Sequence, residues 1–175
     1  GGGVGGKKGS SVKKMDLEIS RMSALERTKT LADFKQKLGD GFQVIKFDRR
    51  GNLGFRTLLL VGGNLTWMKE GQTGKSSKLA RKGGSARELI DLATMSALVL
   101  GEEPDPEAQE GEKLLGTTVL RMHVKKRNEV AAMRDARRCV SICFTGRTVD
   151  IGVDNHALRD FIAIGFKLAL LDAQK

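Results

Sequence analysis

Residues Arg56–Gly71 read RTLLLVGGNLTWMKEG: an aliphatic run, a Gly-Gly-Asn break, and a second run in which apolar and polar side chains alternate. Two such runs around a Gly/Asn pair predict a tight antiparallel hairpin, because these residues tolerate the positive φ that a turn between right-twisted strands requires. Working outward, FQVIKFD (Phe42–Asp48), the turn RRGNLG, FRTLLLV (Phe55–Val61) and LTWMKE (Leu65–Glu70) form three consecutive antiparallel strands. RELIDLATM and SALVLG, around 87–101, supply the next two strands, and RCVSICF (138–144), a TGR turn and TVDIGV (148–153) make a further hairpin. Asn155 is expected to cap a final helix running to about Asp172. On it Leu158, Phe161, Ile162, Gly165, Phe166 and Leu168 share one face, suited to cover an opening in the sheet.

Ahead of these strands, Met15, Leu17, Ile19, Met22, Leu25, Leu31, Phe34 and Leu38 recur at helical spacing, predicting one amphipathic helix over 12–38 ended by Gly39 and Gly41. Two readings stand for it: a helix packed on the domain, or one that meets a membrane surface or a protein partner. The preceding GGGVGGKKGS buries nothing and is expected to be a flexible lead-in over 1–11, with the domain itself spanning 39–175. Within it, 71–86 is a Gly, Ser and Lys-rich loop, and Pro104 and Pro106 exclude regular structure from EEPDPEAQEGE. Residues 113–138 begin strand-like (TTVLRMHV) and turn helical (KKRNEVAAMRDARR), and mainly helix is expected. The insertion at about 102–137 carries six carboxylates at 102–112 and seven cations at 121–138. Either the acidic lead-in screens a solvated basic helix, or copies of the chain associate through the two.

A chain of 175 residues and 19.0 kDa can hold one domain with a proper core. Its net charge of +10 asks for an anionic partner: nucleic acid, an acidic membrane surface or an acidic protein. Aromatic content of 5% with no Tyr leaves few stacking surfaces for nucleic acid, and no helix-turn-helix or finger spacing is apparent, so nucleic acid is not the expected partner. Cys139 and Cys143 are too few for a disulfide framework and share one strand face; reduced thiols in an intracellular protein are the simpler expectation. The apolar run FIAIGFKLALL contains Lys167 and is shorter than the ~20 residues of a bilayer span, so no crossing is expected. His123 and His156 have no carboxylate or cysteine at ligand or triad spacing, so neither an enzyme nor a cofactor is expected.

EGQTGKSS (Glu70–Ser77) invites comparison with a nucleotide-binding loop. Such a loop needs Gly where Lys69 stands, so that backbone can curl around phosphate, and a helix opening at the Ser. SKLARKGG follows instead, broken by two glycines. The stretch is better read as a cationic loop in which Lys75, Lys78, Arg81, Lys82 and Arg87 come without an intervening carboxylate.

Antiparallel strands closed by one C-terminal amphipathic helix are the order of a pleckstrin homology domain. RTLLLVGGNLTWMKEG resembles that family's second and third strands, and GFQVIKF, RCVSICFTGRTVDIGVDN and ALRDFIAIGF are similar to the matching pieces of its phospholipase C type. The resemblance covers roughly 38–172 and implies a mainly β fold with α: a seven-stranded barrel or sandwich capped by a C-terminal helix, with the N-terminal amphipathic helix added. Over the whole chain the sequence resembles the small acylated pleckstrin homology proteins of apicomplexan parasites, which implies a peripheral protein on the cytoplasmic face of a secretory organelle that recognises phosphatidic acid. Gly1–Gly5 shows neither the Ser or Thr of a myristoylation signal nor a nearby cysteine, so acylation is implied by the resemblance alone.

The resemblance also implies a site. Lys46 and Arg56 match the family's phosphate-gripping Lys and Arg, pointing to one mouth of the barrel. Arg49 and Arg50 in the connecting turn, Lys69 and Lys75 flanking the third strand's exit, and Arg147 in the later hairpin would enlarge the positive field. An Arg fork holds two phosphate oxygens while lysines act as movable point charges. Leu53, apolar at a polar turn, either dips between head groups or folds back on Phe55. Inositol-phosphate binders carry further basic residues where this chain has Asp48 and Gly54, which favours a single phosphomonoester such as phosphatidic acid over phosphoinositides.

Overall fold

A computed structural model describes residues 10–48, 53–69, 88–103 and 136–175, with side chains from residue 15 onward. Arg49, Arg50, the EGQTGKSS loop with Lys75, the acidic proline loop, His123 and all but the end of the 113–138 segment lie outside the described residues.

The stretch expected to be one helix is two: α1 (Ser10–Arg21) and α2 (Ala24–Asp40). Local chemistry makes the break. Ser23 is extended at φ −67°, ψ 163°, and its hydroxyl accepts from the Glu26 amide at 3.1 Å, capping α2 before its first turn. Arg27 then reaches back to donate to the Ile19 carbonyl at 2.9 and 3.2 Å, fixing the corner between the helices. Gly41 ends α2 at φ 106°, a conformation that favours glycine.

The strands follow as β1 (Phe42–Phe47), β2 (Leu53–Val61), β3 (Asn64–Lys69), β4 (Ile90–Asp91), β5 (Met95–Leu100), β6 (Cys139–Phe144) and β7 (Arg147–Gly152), and helix α3 (His156–Ala173) closes the chain. The β2–β3 turn places Gly62 and Gly63 at φ 56° and 79°, the two positive values the tight hairpin called for. The run RELIDLATM gives less strand than expected, because the Asp91 carboxylate accepts from the Ala93 amide at 2.9 Å and turns Leu92–Thr94 into a 3-10 turn. Asn155 caps α3 as expected, accepting from the Leu158 amide at 2.8 Å.

All seven strands pair antiparallel in one sheet of order β4-β3-β2-β1-β7-β6-β5. β4 and β5 are thus its two ends, yet only Leu92–Thr94 separates them in the chain. Laid flat, seven strands would hold those ends roughly 29 Å apart, whereas the link from Asp91 to Met95 spans at most about 14 Å. The sheet must therefore curl on itself. This is the mainly β, seven-stranded, helix-capped arrangement that the pleckstrin homology resemblance implies.

Alternation then divides inside from outside. The inner rows run Val44 on β1, Leu58 on β2, Leu65 on β3, Val140 and Ile142 on β6, and Val149 and Ile151 on β7, all buried. Helices cover one end of this core: α3 inserts Ile162, Ala163 and Phe166, and α2 adds Phe34 and Leu38, both at 0% exposure. Phe34 is hemmed in by Phe166, Phe161 and Phe42, with ring centroids 5.0, 6.0 and 6.3 Å away. Arg159 of α3 is buried as well, donating to both Glu102 carboxylate oxygens at 2.6 and 2.8 Å and to the Cys139 carbonyl at 3.1 Å. Among the described residues, no helix is long and apolar enough to cross a membrane.

Candidate functional site

The other end of the curled sheet is chemically different. Follow the inner rows away from the helices and each apolar series ends in a cation: Val44 gives way to Lys46, Leu58 to Arg56, Val149 to Arg147, and β3 ends at Lys69 beyond Trp67. Register makes this convergence unavoidable. Arg56 is directly opposite both Val44 and Lys69, and Lys46 is opposite Gly54, two residues from Arg56 on the same face. β3, β2, β1 and β7 are successive neighbours, so the four cations stand side by side along one rim.

Gly54 has a role that the sequence alone did not disclose. A Cβ placed there would stand 2.6 Å from Arg56 Nη1, so the missing side chain is the guanidinium's seat. Arg56 lies back along its strand, donating from Nη1 to the Phe55 carbonyl at 2.8 Å. Lys46 and Arg147 meet over the indole of Trp67, with Lys46 Nζ 4.5 Å and Arg147 Cζ 5.4 Å from the ring centroid. β3 and β7 are not neighbours, so this contact crosses the interior of the mouth, and cation–π attraction, worth about 0.5–2 kcal/mol per pair, holds two like charges together over one ring.

Electrostatics match that crowding. Burial, and then the Arg147 charge, push the Lys46 ammonium below the ordinary lysine range; Asp150 and Asp48 partly offset this, and Arg56 adds to the depression. A bound anion would relieve the like-charge repulsion. Among the described residues, two carboxylates border the rim: Asp48, near enough to act on Lys46, and Glu88, ion-paired with Arg147. On the outer face of β7, Asp150 is nearly fully buried and accepts from Ser141 at 2.5 Å and Thr148 at 2.7 Å, bracing β6 to β7 behind the mouth.

Of the expected site residues, Lys46, Arg56, Lys69 and Arg147 come to one rim, and Arg147 opens β7 instead of lying in the turn. Leu53 is the first residue of β2, opposite Phe47, on the outer face with Phe55; the two are 50% and 61% exposed. Besides Gly54, three residues at the mouth are given no part in the site by the sequence reading. Trp67 carried a usable signal, standing two positions from Lys69 on the same alternating row, and Phe55 likewise shares Leu53's row. Glu88 is the first carboxylate after the cations of 75–87, but nothing local tied it to Arg147, 59 positions on.

No protein-family model matches the sequence, and no curated protein does. Among solved structures, the chain is similar to inner membrane complex sub-compartment protein 3 of Toxoplasma gondii, at 10% identity and a TM-score of 0.48 over 84% of this chain and 87% of that one. It is also similar to sub-compartment protein 1 of the same organism, at 12% identity and a TM-score of 0.47 over 86% of this chain and 95% of that one.

Proposed function

We propose that this chain is a peripheral membrane protein that binds an anionic phospholipid by its phosphate, with phosphatidic acid favoured over phosphoinositides, on the cytoplasmic face of an organelle membrane. The observation that carries the reading is the convergence of Lys46, Arg56, Lys69 and Arg147 on one rim, with Trp67 between Lys46 and Arg147. An Arg fork and two mobile ammonium groups suit a phosphate that presents several free oxygens. Each cation held near an anionic bilayer contributes about 1 kcal/mol, so four give reversible residence and leave room for a second anchor. Leu53 and Phe55, exposed on the same hairpin, can supply it; Arg49, Arg50 and Lys75 would add charge. Acylation at a native N-terminus would add another, as the resemblance implies. Asp48 beside Lys46 and the absence of a cation at Gly54 support a phosphomonoester over a multiply phosphorylated ring. Docking on a protein is the second reading, favoured by Leu25, 79% exposed at the start of α2.

Flotation on vesicles of matched net charge tests the proposal. Wild type should be recovered with phosphatidic acid vesicles, and the Lys46→Glu, Arg56→Glu double variant should stay behind while its thermal melt is retained. A double variant that floats like wild type would refute the site, and equal recovery on phosphatidic acid and phosphatidylinositol 4,5-bisphosphate would remove the preference.

A further inference from the structure

We infer that the outer face of the β1–β2 hairpin is a preformed apolar wedge that enters the bilayer beside the phosphate, and that it makes the chain a reader of lipid packing as well as of charge. The inference rests on the membrane reading above. Alternation sends Lys46 and Arg56 inward, so their neighbours Ile45, Phe47 and Phe55, with Leu53, face outward. Register then stacks these four as two rungs: Phe47 is directly opposite Leu53, and Ile45 is opposite Phe55. Leu53 and Phe55 are 50% and 61% exposed, and Ile45 and Phe47 are half-buried. The ladder stops one rung further back, where Gln43 faces Thr57. On its flank Asp150, opposite Phe47, is buried and bonded to two hydroxyls, so it sets no exposed carboxylate beside the wedge.

Single exposed apolar residues are ordinary, whereas four joined on one face need an occupant. Continuity chooses the bilayer. Along β2 the order Leu53, Gly54, Phe55, Arg56 alternates apolar groups with the seat and the guanidinium of the phosphate site, and along β1 Lys46 stands between Ile45 and Phe47. A membrane whose phosphate fills the mouth therefore meets the ladder at its acyl boundary. The rungs are about 7 Å apart along the strands, within the roughly 5–10 Å to which amphipathic segments sink their apolar faces. Paired strands keep their width on entering, and Phe47 is pinned over Gly152 of β7, where an added Cβ would stand 3.3 Å from its ring. A wedge of fixed width needs a gap between head groups, and such gaps are larger where unsaturated chains loosen the packing. The small head group of phosphatidic acid leaves the same kind of gap, so one lipid suits both mouth and wedge.

Flotation on two sets of vesicles with equal phosphatidic acid content tests the inference, one set made of dioleoyl lipids and the other of dimyristoyl lipids held fluid. Wild type should bind the loosely packed dioleoyl set several-fold more tightly. Leu53→Thr with Phe55→Thr should weaken that binding by about ten-fold, the order expected when two half-exposed apolar side chains are removed, and should erase the preference between the sets. Both residues are exposed, so the thermal melt should hold, and Trp67, the single Trp of the chain, should still respond to glycerol 3-phosphate. Leu53→Trp adds a reporter on the wedge itself. Its emission, read as the difference from wild type, should shift to the blue on these vesicles and be quenched by lipids brominated along the acyl chain. Equal wild-type recovery on both sets, unchanged recovery of the double variant, or Leu53→Trp emission that stays water-like overturns the inference; the last two are what docking on a protein would give. Failure of the underlying reading looks different: wild type is then recovered on neither set, whatever the packing, and the inference falls with it.

Discussion

Gly165→Ala sets two effects of opposite sign against each other. In an ordinary helix interior the change stabilises by about 1 kcal/mol, because alanine has less backbone freedom to lose. Gly165 of α3 is not in an ordinary place. An added Cβ would lie against three ring carbons of Phe34, one of them 2.6 Å away and the others closer, where comfortable carbon contacts are ~3.5–4.0 Å. The ring has nowhere to go, since Phe34 has no exposed surface and aromatic neighbours on three sides. Overpacking of a tight core costs about 1–3 kcal/mol, and a full ångström of overlap belongs at the upper end of that range. The net expectation is a loss of about 2 kcal/mol, or a fall of roughly 4–8 °C in Tm for a chain of this size. Thermal and urea denaturation followed by circular dichroism would measure it. In a Phe34→Leu background the penalty should shrink, because the smaller side chain vacates the space. A rise in Tm on Gly165→Ala, or the same penalty in both backgrounds, would refute the packing argument.

Gly54→Ala should displace the Arg56 guanidinium, weakening phosphatidic acid binding several-fold in flotation while moving Tm little; unchanged binding would show that the seat does not matter. Glu102→Ala strands the Arg159 charge, whose side chain is 4% exposed, and should cost about 3 kcal/mol in urea denaturation, with Asp160 and the Cys139 carbonyl limiting the loss. Burial, followed by the Asp150 and Glu103 charges, pushes the Cys143 thiol up to about 11. Iodoacetamide should therefore label it slowly at pH 8 and faster only as pH climbs toward that value, and reaction at the rate of a free thiol would contradict its placement. The sign for stability follows: between about pH 9 and 11 the unfolded chain ionises this thiol while the folded chain keeps its proton, so stability falls as pH rises through that window.

Where the chain's grammar is local, the sequence disclosed it. Gly62-Gly63, Gly146 and Asn155 mark two turns and a cap whose geometry depends on residues next to them, and the flanking strands were placed within a residue or two. Lys46 and Arg56 are assigned to one mouth by the family resemblance alone, and the strand register, with Lys46 opposite Gly54 and Arg56 opposite Val44, is what sets them side by side. The break after Arg21 was hidden because Met22 and Leu25 continue the apolar spacing across it, so periodicity outvoted the Ser23–Glu26 capping pair. Trp67 over two cations, Glu88 on Arg147 and Glu102 on Arg159 depend on how a curled sheet brings distant segments together, which no window of neighbouring residues specifies.

The interlock of Phe34 with Gly165 also limits what can be cut away. A shortened polypeptide starting after α2 would not shed an appendage; it would unroof Phe42, Phe161 and Phe166 and hand water a greasy aromatic floor. Such a fragment should clump, and its stickiness toward liposomes would come from the wrong side of the molecule.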